Sequence, residues 1–208
     1  MDTTPHIETL RDGRDPRIDD LLALYERAIP ARERKDTAAI REMAQLSTHE
    51  VAVAQDALGV AGFFLLFVGE RIALLEYMAV DERCRGEGLG CRLYETARSM
   101  AADRPLIVEV ESDREAVPDR ALRARRIGFY RRLGCRRVTG LDYILPLPGE
   151  GDPPVLDLLI DNFAAGSVPA KTLAVWLNEI YAGVYGCGTD DPRLKAMIDT
   201  LPPTIALS

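Results

Sequence analysis

What this chain has little of narrows its chemistry before any motif is read. It holds two histidines, His6 and His49, and four cysteines, Cys84, Cys91, Cys135 and Cys187, none of them in a CxxC pair. Structural metal sites draw on clustered Cys and His ligands, so no metal is expected, and the thiols read as reduced and partly buried. The longest strongly apolar stretch, residues 60–68, is far shorter than the ~20 residues that cross a bilayer, so no membrane partner is expected. Residues 1–10 are polar and acidic where a secretory leader would be basic and then apolar, which predicts a cytoplasmic protein. An excess of basic charge is also missing. The formal net charge is −7, which argues against general nucleic-acid binding, and no nucleic-acid partner is expected.

The chain has 208 residues, 47% hydrophobic and 28% charged, enough for one compact domain with a small appendage. Apolar spacing predicts a strand at 6–10, a helix opened by Asp15 and Pro16, a second helix over 37–46, and strands at 50–55, 58–68 and 72–80. A helix at 89–102, a strand at 106–111 and a helix at 120–133 follow, with Gly134 at the position of a left-handed terminator. Two more strands are expected, at 135–145 and 155–160, separated by a Pro/Gly-rich linker at 146–154. From Pro169 onward the chain reads as helical, with an apolar stripe through Leu173, Leu177, Ile180 and Tyr181. The order β-α-α-β-β-β-α-β-α-β-β predicts an α/β fold, a mixed sheet with helices on its faces. The expected division is a domain over residues 1–161 and a helical extension over 162–208, packed on that domain or forming a homodimer contact.

The segment that says most is EYMAVDERCRGEGLGCRLYE, residues 76–95. An apolar strand runs through an acidic turn into Arg85, Gly86, Glu87, Gly88, Leu89 and Gly90, and a helical pattern begins at once. Glycines leave backbone N–H groups unshielded, and a helix N-terminus adds partial positive charge, a combination that suits phosphate. The spacing is neither the GxGxxG of dinucleotide folds nor a nucleotide P-loop. A turn that needs glycine only for tight packing is the alternative reading.

Arg85, Gly88 and Gly90 fit the pattern Arg/Gln-x-x-Gly-x-Gly/Ala after a strand ending in Ala79 and Val80, and RIGFYRRLG follows at 126–134. In these two motifs, and in the order of elements over about residues 5–160, the chain resembles the GNAT family of N-acetyltransferases. The resemblance implies a GNAT-like, mostly antiparallel central sheet and acetyl-CoA as co-substrate. It implies that backbone amides of Arg85, Gly86, Glu87, Gly88, Leu89 and Gly90 hold the CoA pyrophosphate. Met78, Ala79 and Val80 would pair with the pantetheine arm, and Tyr130 would act as general acid at the CoA sulfur. Many members carry an Asn after the strand matching 106–111; here that stretch is Ser112, Asp113 and Arg114.

Acetyl transfer to an amine needs a base, because a free amine near pKa ~10 is mostly protonated at neutral pH. Glu76, Glu111 and then Glu109 are the candidates, Glu76 first, each alternating with same-face neighbours on its strand. A solvated or ion-paired strand carboxylate is the structural alternative for Glu76, and a core tyrosine for Tyr130. The eight arginines between 120 and 137 read mostly as a solvated helix face, with one or two free to reach a CoA phosphate. No nucleophile–base pair is evident, so transfer is expected to be direct. The function expected is an N-acetyltransferase acting on an amine of a small molecule or peptide; the alternative is a catalytically silent acyl-CoA-binding module.

Overall fold

A computed structural model describes residues 5–146 and 155–208. The expected linker falls, from residue 147 to 154, outside the described residues. The chain forms two compact units, Met1–Val68 with Leu75–Ala102 and Gly69–Leu74 with Asp103–Ser208.

The first unit contains β1 (His6–Leu10), α1 (Arg17–Ala28), α2 (Thr37–Met43), β2 (His49–Asp56), β3 (Gly59–Val68), β4 (Ala73–Val80, from Leu75) and α3 (Leu89–Ala101). Its strands lie in the order β1-β2-β3-β4, and the β1–β2 and β2–β3 pairs are antiparallel. The apolar run of β3 is buried along nearly its whole length because both of its faces are covered. On one face Phe63 and Leu65, with Val51 and Val53 of β2, pack against Leu21 and Tyr25 of α1 and Ile40 of α2. Each such fully buried side chain stabilises by roughly 1.5–3 kcal/mol. The other face receives α3. A Cβ on Gly62 would stand 2.9 Å from Leu93 Cδ1 and 3.0 Å from the Ala79 carbonyl oxygen, so glycine lets helix and strand approach closely.

The second unit contains β5 (Leu106–Glu111), α4 (Arg120–Arg132), β6 (Arg136–Arg137), β7 (Tyr143–Ile144), β8 (Val155–Asp161), β9 (Ser167–Pro169), α5 (Ala170–Tyr185), α6 (Pro192–Asp199) and β10 (Thr204–Ala206). β8 is its spine. One edge pairs antiparallel with all of β5, from Leu106↔Asp161 to Glu111↔Leu156. The other edge takes β6 and then β7. The single strand expected at 135–145 is therefore two short ones, interrupted at Gly140, whose φ of 74° turns the chain.

The segment beyond Pro169 is not wholly helical as expected. β9 and β10 pair antiparallel, and Ser208 exchanges two backbone hydrogen bonds with Arg137, 2.8 and 3.0 Å, tying the last residues beside β6. The stripe of α5 is buried at Leu173, Leu177, Ile180 and Tyr181. Tyr181 donates to the Ile144 carbonyl at 2.5 Å, and the Ile144 N–H meets Met197 Sδ of α6 at 3.2 Å. The segment from 162 thus packs on β7 within its own unit. The architecture is α/β, with a mostly antiparallel sheet and helices, as expected.

Candidate active site

The turn after β4 is built to present bare backbone. Asp81 accepts from the Arg83 N–H at 3.1 Å and starts a single 3-10 turn, Glu82–Cys84. Gly86 and Gly88 then take φ of 87° and 80°, a left-handed backbone that costs an L side chain ~1–2 kcal/mol. Gly88 is the N-cap of α3, no side chain caps that end, and the first helical bond runs from Arg92 N–H to the Gly88 carbonyl at 3.2 Å. The N–H groups of Leu89, Gly90 and Cys91 thus have no acceptor within the helix. A Cβ on Gly86 or Gly88 would meet nothing within 4 Å, and residues 85–88 are exposed. Tight packing therefore does not explain these two glycines; their conformation does. Gly90 lies inside the first turn of α3, within the helix expected from Leu89, and has no positive φ. Leu89 is buried and pins the start of the helix to the core.

Ion pairs brace this turn from below. Arg83 donates to Asp56 at 2.5 Å and to the Val60 carbonyl at 3.3 Å, and Arg27 reaches Asp81 at 3.1 Å. Burial works against the Asp56 carboxylate, but the bonds from Arg83 and Leu58 outweigh it and hold its pKa below the ordinary value. Burial pushes the Cys84 thiol up, so it stays protonated beside the turn and offers no nucleophile. Arg85 pairs with Glu82 at 3.1 Å, both exposed. The residues present fit a diphosphate: unpartnered N–H groups, the positive end of a helix, and open space above the glycines.

Met78, Ala79 and Val80 form the partly exposed end of β4 directly before this turn. Two residues earlier, the Glu76 side chain is only 1% exposed. It forms a close ion pair with Lys35 Nζ, and its Oε1 lies 3.4 Å from His49 Nε2, itself buried. That Oε1 is a buried atom without a hydrogen-bond partner among the described residues. The neighbouring Tyr77 donates to the Glu33 carbonyl at 2.7 Å, and Tyr25 accepts from the Lys35 N–H at 2.8 Å while meeting Tyr77 edge-on at 5.1 Å. Strict alternation would send Glu76 and Tyr77 to opposite faces. Both nonetheless reach the 33–35 segment, Glu76 at Lys35 Nζ and Tyr77 at the Glu33 carbonyl. Neither Lys35 nor His49 carries a signal in the sequence beyond an ordinary charged connection and a lone histidine; the fold alone brings them to Glu76.

In the second unit, Tyr130 lies near the end of α4, 6% exposed and edge-on to Phe129 at 5.1 Å. Its carbonyl accepts from Cys135 N–H at 3.1 Å across Gly134, whose φ of 106° ends the helix. Burial raises the Tyr130 pKa well above that of a free phenol, with Arg126 acting the other way. Glu111 is buried and ion-paired to Arg123 at 3.0 Å and Arg126 at 3.3 Å. Glu109 accepts from Tyr143 at 2.5 Å and Tyr185 at 2.6 Å. Where an Asn was sought, Ser112 is fully buried and its hydroxyl accepts from Arg114 Nε at 3.0 Å.

The arginine run is less solvated than expected. Arg123 is 4% exposed and, besides Glu111, meets Glu115 and Asp119, each at 3.1 Å. Arg137 meets Asp113 at 2.7 Å and buried Asp157 at 3.3 Å. Arg125, Arg131 and Arg132 remain exposed. Among the described residues no group of three or more His, Cys, Asp or Glu is placed to hold a metal, and no helix is long and apolar enough to cross a membrane.

Residues 47–136 match the family profile described as an acetyltransferase (GNAT) domain. None of the curated proteins matches the chain. Among solved structures, a Bacteroides thetaiotaomicron protein assigned to the GNAT family of acetyltransferases is similar with a TM-score of 0.71 at 20% identity, over 88% of this chain and 99% of that one. Arabidopsis thaliana NAA60, in complex with acetyl-CoA, is similar with a TM-score of 0.59 at 15% identity, over 76% of this chain and 98% of that one. The ribosomal-protein-S18-alanine N-acetyltransferase of Escherichia coli gives 0.55 at 19% identity, over 74% and 91%. The open glycine turn falls inside the matched segment, and the fold is that of the GNAT-family structures the chain is similar to.

Proposed function

We propose that this chain is an N-acetyltransferase that moves an acetyl group from acetyl-CoA directly to an amine of a small molecule or a peptide. The observation that carries the reading is the turn at 85–90, where two left-handed glycines and an uncapped helix leave N–H groups facing open space. Backbone amides of Arg85 to Gly90 bind the diphosphate, and the backbone of Met78, Ala79 and Val80 aligns the pantetheine arm. When bound, the thioester supplies an activated acetyl carbon. One N–H of the β4 end polarises its carbonyl, the role of an oxyanion donor. Glu76 accepts the proton of the incoming amine, directly or through water. Tyr130, as the resemblance implies, donates to the departing sulfur through its hydroxyl. Glu111, held by two guanidinium groups, is assigned to bracing α4 rather than to proton transfer. Domain-wise, residues 1–161 would supply the catalytic machinery and 162–208 its support. The chemistry proposed needs no metal, and the reaction is placed in the cytoplasm.

One observation favours a second reading, the silent acyl-CoA-binding module: Glu76 is already occupied by Lys35 and His49. Thiol release from acetyl-CoA, measured with a panel of primary amines and N-terminal peptides, separates the two. Turnover with any amine supports the transferase. Tight CoA binding without turnover across the panel supports the silent module.

A further inference from the structure

The pair between Lys35 and Glu76 has the composition of an acceptor already in place. Arginine and lysine together number 26, but only Lys35, Lys171 and Lys195 are lysines. Lys171 and Lys195 are exposed on the second unit, whereas the Lys35 side chain is 12% exposed and closely ion-paired to Glu76. Glu76 stands two residues, ~7 Å along an extended strand, before Met78, where the proposed thioester arm begins. The amine is held there by more than its own charge. Its backbone N–H is fixed by Tyr25, and the preceding residues are anchored by Tyr77 on the Glu33 carbonyl and by Arg34 Nε on the Ile29 carbonyl at 2.6 Å.

We propose that Lys35 Nζ is itself an acceptor, so that the domain acetylates its own Lys35 from acetyl-CoA. The inference rests on the transferase reading above. The Lys35 ammonium gives one proton to Glu76, from which it leaves for solvent past the 12% exposed Lys35 side chain. The neutral nitrogen attacks the thioester carbonyl, the new C–N bond forms as the C–S bond breaks, and the second nitrogen proton leaves with the thiolate as free thiol. One acetyl-CoA is consumed per chain, no electron changes hands, and Lys35 becomes an uncharged amide. Glu76 then keeps His49 as neighbour and loses its ammonium partner, leaving a carboxylate for the amine of a second substrate.

The test is intact-mass and peptide mass spectrometry of the full chain incubated with acetyl-CoA, with calorimetry of CoA binding on the same sample. The expected result is one acetyl group on Lys35, with Lys171 and Lys195 at background, at a rate unchanged over a tenfold range of protein concentration. Glu76→Gln, folded by circular dichroism and still binding CoA, is expected to lose the modification, and Lys35→Arg to abolish it. Lys35 acetylated no more than Lys171 and Lys195, in protein that binds CoA, overturns the inference and leaves the transferase reading standing. Absence of CoA binding overturns that reading itself.

Discussion

Glu76 and Glu111 are both buried strand carboxylates in ion pairs, yet their partners differ in kind. Glu111 faces Arg123 and Arg126, guanidinium groups that stay charged throughout the working range. Glu76 faces Lys35 and His49, an amine and an imidazole. Oε1 of Glu76 also lacks a hydrogen-bond partner among the described residues, whereas both Glu111 oxygens are engaged. A carboxylate fixed by arginines serves as a brace. One with an oxygen left without a hydrogen-bond partner has a lone pair to offer a proton.

The contrast breaks most sharply under mutation. Glu76→Gln is expected to lower acetyl transfer at least ~100-fold, the usual scale for losing a general base, with CoA affinity unchanged. Glu111→Ala is expected to do the reverse: unfolding titrations should show a loss of roughly 1.5–3 kcal/mol, because buried Arg123 loses one of its three carboxylates and keeps Glu115 and Asp119, while folded protein keeps its turnover. Equal losses of activity in the two variants would erase the distinction. Tyr130→Phe is expected to cut turnover roughly 10- to 100-fold with unaltered CoA affinity, as removal of a proton donor does; unchanged turnover returns Tyr130 to the core.

Much of this was legible in the sequence because it depends on neighbours along the chain. β1 and β5 fall where alternation places them, α3 starts at Leu89 as the glycine motif implies, and Gly134 ends α4. Local chemistry also exposed the turn, since only glycine tolerates a φ near 80° there. What the sequence hid depends on distant partners. Gly140 splits an apparent strand, and β10 is a strand only because β9 accepts it. Arg123 looks like one more surface arginine until three carboxylates converge on it. Lys35 and His49 have nothing in their own surroundings that points to Glu76.

A smaller carboxylate extends the comparison. Asp191 caps α6, and the side-chain bond from Arg193, opposed by some burial, lowers its pKa to about 2 from an ordinary 3.8. A depressed carboxylate stabilises fully above its unfolded pKa and loses that contribution as pH falls through the folded one. Asp191→Ala should therefore cost ~1 kcal/mol near neutral pH, the usual worth of a cap. The difference from the unmodified chain should shrink between about pH 4 and pH 2. A pH-independent difference would mean that the loss is one of packing.

The central claim is that the glycine turn after β4 holds a diphosphate on its backbone. Calorimetric titration of CoA into the unmodified chain and into Gly88→Val tests it most directly. The account predicts binding by the former and affinity weakened about tenfold in the latter, the equivalent of the ~1–2 kcal/mol needed to hold a branched residue in a left-handed conformation. Equal affinity in a folded variant, or no heat from CoA in either, would contradict it.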